Sequence, residues 1–262
     1  KDYFWKEIKK KNINFIGVVP TILQAIYINS SKIKKIQSLK FFGCGSSILS
    51  KELQIKFEKK FHTKISNIYG MSEIGVASLD NPNSTKRKIG SIGESLKGVK
   101  IKLFKNKNKV VSDDTIGEIG IKTPAIFSGY IPSKKISFLK NKGYFMSGDL
   151  AVKKDKHFFF IDRSKDLIIK GGVNISPQEI DDCLNANNKV LESASISKQD
   201  NFFGEDIKSY VVLKNGYKAK KDELMDFCKK KIGQYKTPSE IVFVKQLPKT
   251  ASGKILKRLL KD

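Results

Sequence analysis

The sequence predicts an α/β fold in which parallel βα units give way to a β-rich stretch and then to a smaller α+β unit. Three observations predict it. Strand and helix signals alternate from the first residues to about residue 80. Short β-rich runs broken by Gly, Asn and Asp follow from about Ile89 to Phe160. From Asp166 onward, helices and strands mix again. The 262 residues, 39% of them hydrophobic, suffice to bury a sizeable core and to form one large or two modest domains.

Each element has a local reason. Lys1 to Lys11 reads as a charged helix and Asn14 to Val18 as a short apolar strand. Pro20 fits the first turn of a helix running to about Asn29, where its missing N–H costs nothing. Leu39 to Phe42 is a strand ending in the small-residue turn Gly43-Cys44-Gly45-Ser46-Ser47. Ser50 caps an amphipathic helix with Leu53, Phe57 and Phe61 on one side. Ile65 to Tyr69 is the next strand. The β-rich stretch holds Val99–Phe104, Glu118–Lys122, Leu150–Lys153 and His157–Ile161, which suggest a small barrel or sheet. In Ser176-Pro177-Gln178-Glu179 a capping Ser, a Pro at the first helical position and a Glu two residues later predict a capping-box helix over Pro177–Asn185. Strands at Val190–Ser197 and Ile207–Leu213, a helix at Lys221–Ile232 and a strand at Glu240–Val244 complete the chain. The domain boundary is expected at Arg163–Lys165.

Composition excludes several classes. The formal charge of +25 invites a nucleic-acid reading. Yet only Arg87, Arg163 and Arg258 are Arg among 51 basic residues, and base readers favour the planar guanidinium. Lys is spread along the chain with many Ile and Asn, the signature of an AT-rich genome, so no specific nucleic-acid partner is expected. The charge would still attract polyanionic small molecules. There is no apolar run of about 18 residues to span a membrane and no secretory signal. Cys44, Cys183 and Cys228 are odd in number and share no metal-ligand spacing, and His62 and His157 complete no zinc site with them. Free thiols in a reducing cytoplasm are expected.

Four blocks carry chemistry. Tyr69-Gly70-Met71-Ser72-Glu73 ends a strand, at the sheet edge where α/β folds bind ligands. Ser147-Gly148-Asp149 offers a carboxylate that can accept from a ribose diol. Asp162-Arg163-Ser164-Lys165-Asp166 leads into Gly171-Gly172 and Asn174-Ile175-Ser176-Pro177. Pro248-Lys249-Thr250-Ala251-Ser252-Gly253-Lys254 is a polar loop presenting one Lys. In this order the blocks closely resemble the adenylate-forming enzymes: acyl-CoA synthetases, adenylation domains of peptide synthetases and firefly-type luciferases. The resemblance spans most of the chain. It implies the C-terminal part of a large α/β plus β-barrel domain (1–162), a hinge (163–165) and a small mobile α+β domain (166–262).

The resemblance also assigns roles. Tyr69 would face adenine, Gly70 would be a nucleotide-binding residue at the backbone turn, Ser72 would meet a phosphate, and Glu73 would hold Mg²⁺ against phosphate oxygens. Gly43, Gly45 and Ser46 would line the adenine and acyl sites, although Cys44 and Ser46 depart from the more usual Gly and Ala. Asp149 would hold the ribose, and Arg163 a ribose or phosphate oxygen. Lys165 is the hinge residue, Gly171 and Gly172 form the loop along the thiol's path, and Lys254 is the catalytic lysine, a point charge for the charge building at the α-phosphate. ATP/AMP, Mg²⁺ and coenzyme A are the implied cofactors and co-substrates, and a small carboxylic acid is the implied substrate.

The family's Ser/Thr/Gly-rich phosphate loop is not found, nor any Gly-x-x-x-x-Gly-Lys run. In the family it precedes the Asn14–Thr21 segment by well over a hundred residues. With Lys1 in place of Met, the chain is therefore expected to be the C-terminal half to two-thirds of an enzyme, inactive in adenylation by itself. Three other readings stand beside the CoA ligase. Transfer to an acyl carrier protein, or a peptide-synthetase-like adenylation domain, would share these residues and differ in acceptor. A non-catalytic nucleotide-binding remnant would lack a phosphate loop altogether. A nucleic-acid binder would need Lys and aromatics gathered on one face.

Overall fold

Three of the α-helices begin where the chain offers a proline or a capping side chain, and the strands between and around the helices form three sheets. The structure, a computed structural model, describes residues 3–31, 33, 35–105, 109–131, 143–251 and 253–260. Lys1 of the expected first helix and Ser252 of the terminal loop lie outside the described residues. The chain divides into two compact units, Lys1–Phe160 and Ile161–Asp262.

In the first unit, α1 (Tyr3–Lys10) leads into β1 (Phe15–Val18), α2 (Pro20–Asn29), β2 (Phe41–Cys44), α3 (Lys51–Phe61) and β3 (Lys64–Met71). Pro20 opens α2 as expected, and the Ser50 hydroxyl caps α3 by accepting from the Leu53 N–H at 3.2 Å. The strands β1, β2 and β3 pair in parallel. Gly43 and Cys44 belong to β2 and not to the following turn. A Cβ at Gly43 would lie 2.9 Å from the Phe15 ring carbons and 3.0 Å from Ile68 Cδ1. The position therefore needs a glycine for packing inside the sheet. Trp5, Leu23, Phe42, Phe57, Phe61 and Ile65 form the core beneath.

Two strands were not expected: β4 (Gly75–Leu79), which turns back antiparallel on β3, and the short β5 (Glu94–Ser95) beyond it. The β3–β4 register shifts between Tyr69 and Gly70. At that bulge a Cβ on Gly70 would stand 2.4 Å from the Gly75 carbonyl oxygen, so only glycine fits. The β-rich stretch forms a second sheet from β6 (Lys100–Lys105), β7 (Lys109–Val110), β8 (Ile116–Lys122), β9 (Phe145–Lys154) and β10 (His157–Arg163), in the order β10-β9-β8-β6-β7. Tyr69, Ile74 and Ala77 share a buried core with Leu103, Ile119, Phe145 and Phe158, which joins the two sheets.

In the second unit, β11 (Ile168–Lys170), β12 (Val173–Ile175), β13 (Val190–Asp200), β14 (Gly204–Leu213) and β15 (Glu240–Phe243) form a sheet. The helices α4 (Pro177–Asn185) and α5 (Lys221–Ile232) pack on it through Ile180, Leu184, Leu224 and Cys228. Gly171-Gly172 joins two strands, β11 and β12. With φ of 53° and 80°, it makes the two-residue hairpin turn that demands positive φ at both positions. The capping box at α4 is half made. Ser176 Oγ accepts from the Glu179 N–H at 3.4 Å, while the Glu179 carboxylate pairs with Lys236 at 2.7 Å. Asp162 supplies the rest of the cap, accepting from Ser176 Oγ at 2.7 Å and the Gln178 N–H at 3.0 Å.

Candidate functional site

Parallel pairing carries the C-terminal ends of β2 and β3 to one edge of the first sheet, with Cys44 in register with Asn67. Gly45 and Ser46 leave β2 there, and Ser46 takes a left-handed φ of 67° that exposes its hydroxyl. The Gly45 backbone passes close to β3, where an added Cβ would lie 3.2 Å from the Ile68 carbonyl oxygen. At the end of β3, Tyr69 is buried and Gly70 half-buried. Ser72 and Glu73 lie in the turn before β4, Ser72 exposed and Glu73 half-buried.

Asp149 arrives from the second sheet. It lies in the middle of β9, which begins at Phe145. The Tyr69 hydroxyl donates to Asp149 Oδ2 at 2.8 Å, across 80 positions of sequence. The strand is held from both sides. Ser147 Oγ donates to the Ile119 carbonyl at 2.9 Å and accepts from the Asp149 N–H at 3.1 Å. The Gly148 N–H donates to Glu118 Oε1 at 3.0 Å, and Gly148 has a φ of 75°. The expected adenine and ribose residues are thus neighbours, with one oxygen of Asp149 bonded by the phenol.

Sequence reasoning missed Tyr130, whose hydroxyl donates to Glu73 Oε1 at 3.0 Å, and Glu118, which holds the Gly148 N–H at the irregularity in the β8–β9 pairing. Neither lies in a block with a recognisable pattern, so only the fold reveals them. Among the described residues no cluster of three or more His, Cys, Asp and Glu gathers as a metal site. Glu73 with the Ser72 hydroxyl still fits Mg²⁺ borne on a nucleotide, because this ion takes one or two carboxylates and draws its remaining ligands from phosphate and water.

In the second unit, the half-buried Arg163 follows Asp162, whose Oδ1 accepts from the Arg163 N–H at 2.8 Å. Lys165 is exposed in a 3₁₀ turn over Ser164–Asp166. Gly171 and Gly172 are exposed at the tip of the β11–β12 hairpin. A Cβ at Gly171 would meet Tyr235 Oη at 2.9 Å, whereas at Gly172 it would meet nothing within 4 Å. Lys254 is exposed at the end of a loop closed on itself. Its N–H donates to Thr250 Oγ1 at 3.0 Å, and its carbonyl accepts from the Thr250 N–H at 2.9 Å.

The chain belongs to the AMP-binding enzyme family. The family's AMP-binding enzyme model matches residues 1–131, and its AMP-binding enzyme C-terminal domain matches residues 179–254. The chain is 32% identical over 256 residues to a sulfoacetate–CoA ligase of Cupriavidus necator, covering 96% of this chain and 50% of that protein. It is 35% identical over 229 residues to a long-chain-fatty-acid–CoA ligase of Bacillus subtilis, covering 86% of this chain and 41% of that one. Among solved structures, ATP-bound MatB from Rhodopseudomonas palustris matches with a TM-score of 0.91 and 27% identity, covering 99% of this chain and 52% of that chain. The chain thus spans about half the length of the relatives it matches. No helix among the described residues is long and apolar enough to cross a membrane.

Proposed function

We propose that the complete protein is an AMP-forming carboxylate–CoA ligase. A substrate carboxylate attacks the α-phosphorus of ATP, pyrophosphate leaves, and the thiol of coenzyme A then attacks the acyl-adenylate and expels AMP. The observation that best supports this reading is the 2.8 Å bond between Tyr69 and Asp149. It gathers an aromatic ring and a buried carboxylate at the ligand-binding edge of a parallel sheet. Tyr69, Gly70, Gly43, Gly45 and Ser46 would bind the base, Asp149 and Arg163 the ribose, and Ser72 the α-phosphate. Glu73 would hold Mg²⁺, which when bound neutralises phosphate charge. Lys254 would place its ammonium against the charge developing at phosphorus. Lys165 would be the hinge, and Gly171 and Gly172 would border the path of the thiol.

The test is calorimetric. Asp149→Ala in the complete protein is expected to weaken ATP and AMP binding by roughly 1.5–3 kcal/mol, the loss of a charge-assisted hydrogen bond. Unchanged nucleotide affinity removes Asp149 from the site. Pyrophosphate release over a panel from sulfoacetate to long-chain fatty acids would identify the acid. Transfer to coenzyme A and to an acyl carrier protein, compared with the same acid, would identify the acceptor.

A further inference from the structure

The loop that presents Lys254 is short, yet it is anchored at three points outside itself. At its start, Lys249 Nζ pairs with Glu192 Oε2 on β13 at 2.7 Å. Behind it, Lys257 Nζ pairs with Asp181 Oδ2 on α4 at 2.8 Å. At its end, the Leu260 carbonyl accepts from the Tyr210 hydroxyl on β14 at 2.8 Å, and the Leu260 side chain packs with Leu247, Ala194 and Ile196. Within the loop, Lys249 and Ile255 face each other as a single antiparallel bridge, and the Leu256 N–H donates to the Pro248 carbonyl at 2.8 Å. Lys257 follows Lys254 by three residues, so the backbone carrying one ammonium is fixed by the other.

These anchors are unequal. Glu192 and Lys249 are partly exposed, at 21% and 32% of their side chains, and a pair so wetted contributes little. In the other pair Lys257 is also partly exposed, at 28%, but the Asp181 side chain is only 5% exposed. Burial pushes its carboxyl up, and the Lys257 ammonium opposes that shift. A buried carboxylate fixes its partner tightly, because a lapse in pairing strands a charge away from water. The helix that bears Asp181 is itself fixed at its start by Asp162. One helix therefore links the first residues of this unit to the Lys254 loop.

We infer that Asp181 and Lys257 are positioning residues for Lys254, an ion pair on a buried carboxylate that sets where the catalytic ammonium stands during adenylation. The inference rests on the ligase reading for its kinetic consequence and on geometry alone for its structural one. It requires that the pair act through Lys254 and not on the thiol step.

The experiment uses the complete protein with Lys257→Met, which keeps the stem and removes the charge, Asp181→Asn as an independent break, and Lys257→Arg as the conservative replacement. Lys257→Met and Asp181→Asn are expected to lower kcat of adenylation about 10–100-fold, the cost of a misplaced group, with KM for ATP nearly unchanged. Thioester formation from pre-made acyl-adenylate should stay near the wild-type rate, and Lys257→Arg should retain most adenylation. In a Lys254→Ala background, Lys257→Met should add no further loss. Equal slowing of both half-reactions, full activity of both breaking variants, or additivity with Lys254→Ala overturns the inference. Amide exchange over residues 249–256 separates this outcome from failure of the ligase reading. If wild-type protein releases no pyrophosphate with any acid, that reading fails. The clamp is then judged by faster exchange in Lys257→Met, and equal exchange in both proteins overturns it.

Discussion

Replacing Lys254 with Ala in the complete protein is expected to slow acyl-adenylate formation on the order of 10²–10³-fold, as loss of a preorganised charge at a developing oxyanion does. Thioester formation from pre-made acyl-adenylate should remain largely intact. The reason is separation of labour on one unit. Lys254 projects from the terminal loop, while Gly171 and Gly172 turn the β11–β12 hairpin elsewhere in the same unit. A bulky residue at Gly172 should reverse the pattern, slowing the thiol step and sparing adenylation. Its φ of 80° adds backbone strain to any side chain there, so the variant must first be shown to be folded. Single-turnover kinetics of each half-reaction provide the measurement. Equal slowing of both steps by Lys254→Ala would count against an alternating use of the two loops.

The largest effect on stability is expected at Arg87. Its guanidinium donates to both oxygens of Glu58 on α3, at 3.0 and 2.7 Å, to Asp80 Oδ2 at 2.5 Å, and to the Ile65 carbonyl. The side chains of Arg87, Glu58 and Asp80 are 6%, 11% and 1% exposed. Arg87→Met leaves two buried carboxylates without their cation, which should cost about 3–5 kcal/mol in chemical denaturation. The loss should shrink on acidification. Burial already pushes the Asp80 carboxyl up against the pull of Arg87, and without Arg87 it rises further. A carboxyl raised in the folded state penalises folding only where it is ionised, so the penalty fades as pH falls through its folded pKa. An equal loss at pH 7 and pH 5 would mean that Arg87 acts through packing alone. The knot also ties α3 to the hairpin that carries Tyr69 and Glu73, so weaker nucleotide binding at the proposed site should accompany the stability loss.

Helix starts were legible because their signals are local. Pro20, Ser50 and Ser176-Pro177 each set a boundary within a turn of themselves, and α2, α4 and α5 run over the expected residues. Strand partners were not legible, since pairing is decided by distant residues. Nothing near Gly75 announces that β4 will fold back on β3. Gly43-Cys44 reads as a turn until the Phe15 ring is seen to need the space. The site follows the same rule. Tyr69, Asp149 and Lys254 stand in recognisable runs, but the bond between Tyr69 and Asp149 is a product of two sheets sharing one core. Arg87 and Asp181 stand in no motif, and their importance comes entirely from the charges that burial places beside them.

The burial of all three cysteines has a practical corollary. Cys44 is enclosed and its thiol is pushed up to about 12 by burial, while Cys183 and Cys228 touch each other at 3.9 Å inside the second unit. Maleimide chemistry needs an accessible thiolate, so these three positions contribute almost no background. Cysteines introduced at exposed positions such as Lys97 and Lys218, one on each unit, would be the sites that take dye. A donor and acceptor placed there would test the proposed rotation about Lys165 as a colour change, readable one molecule at a time as nucleotide and thiol are added in turn.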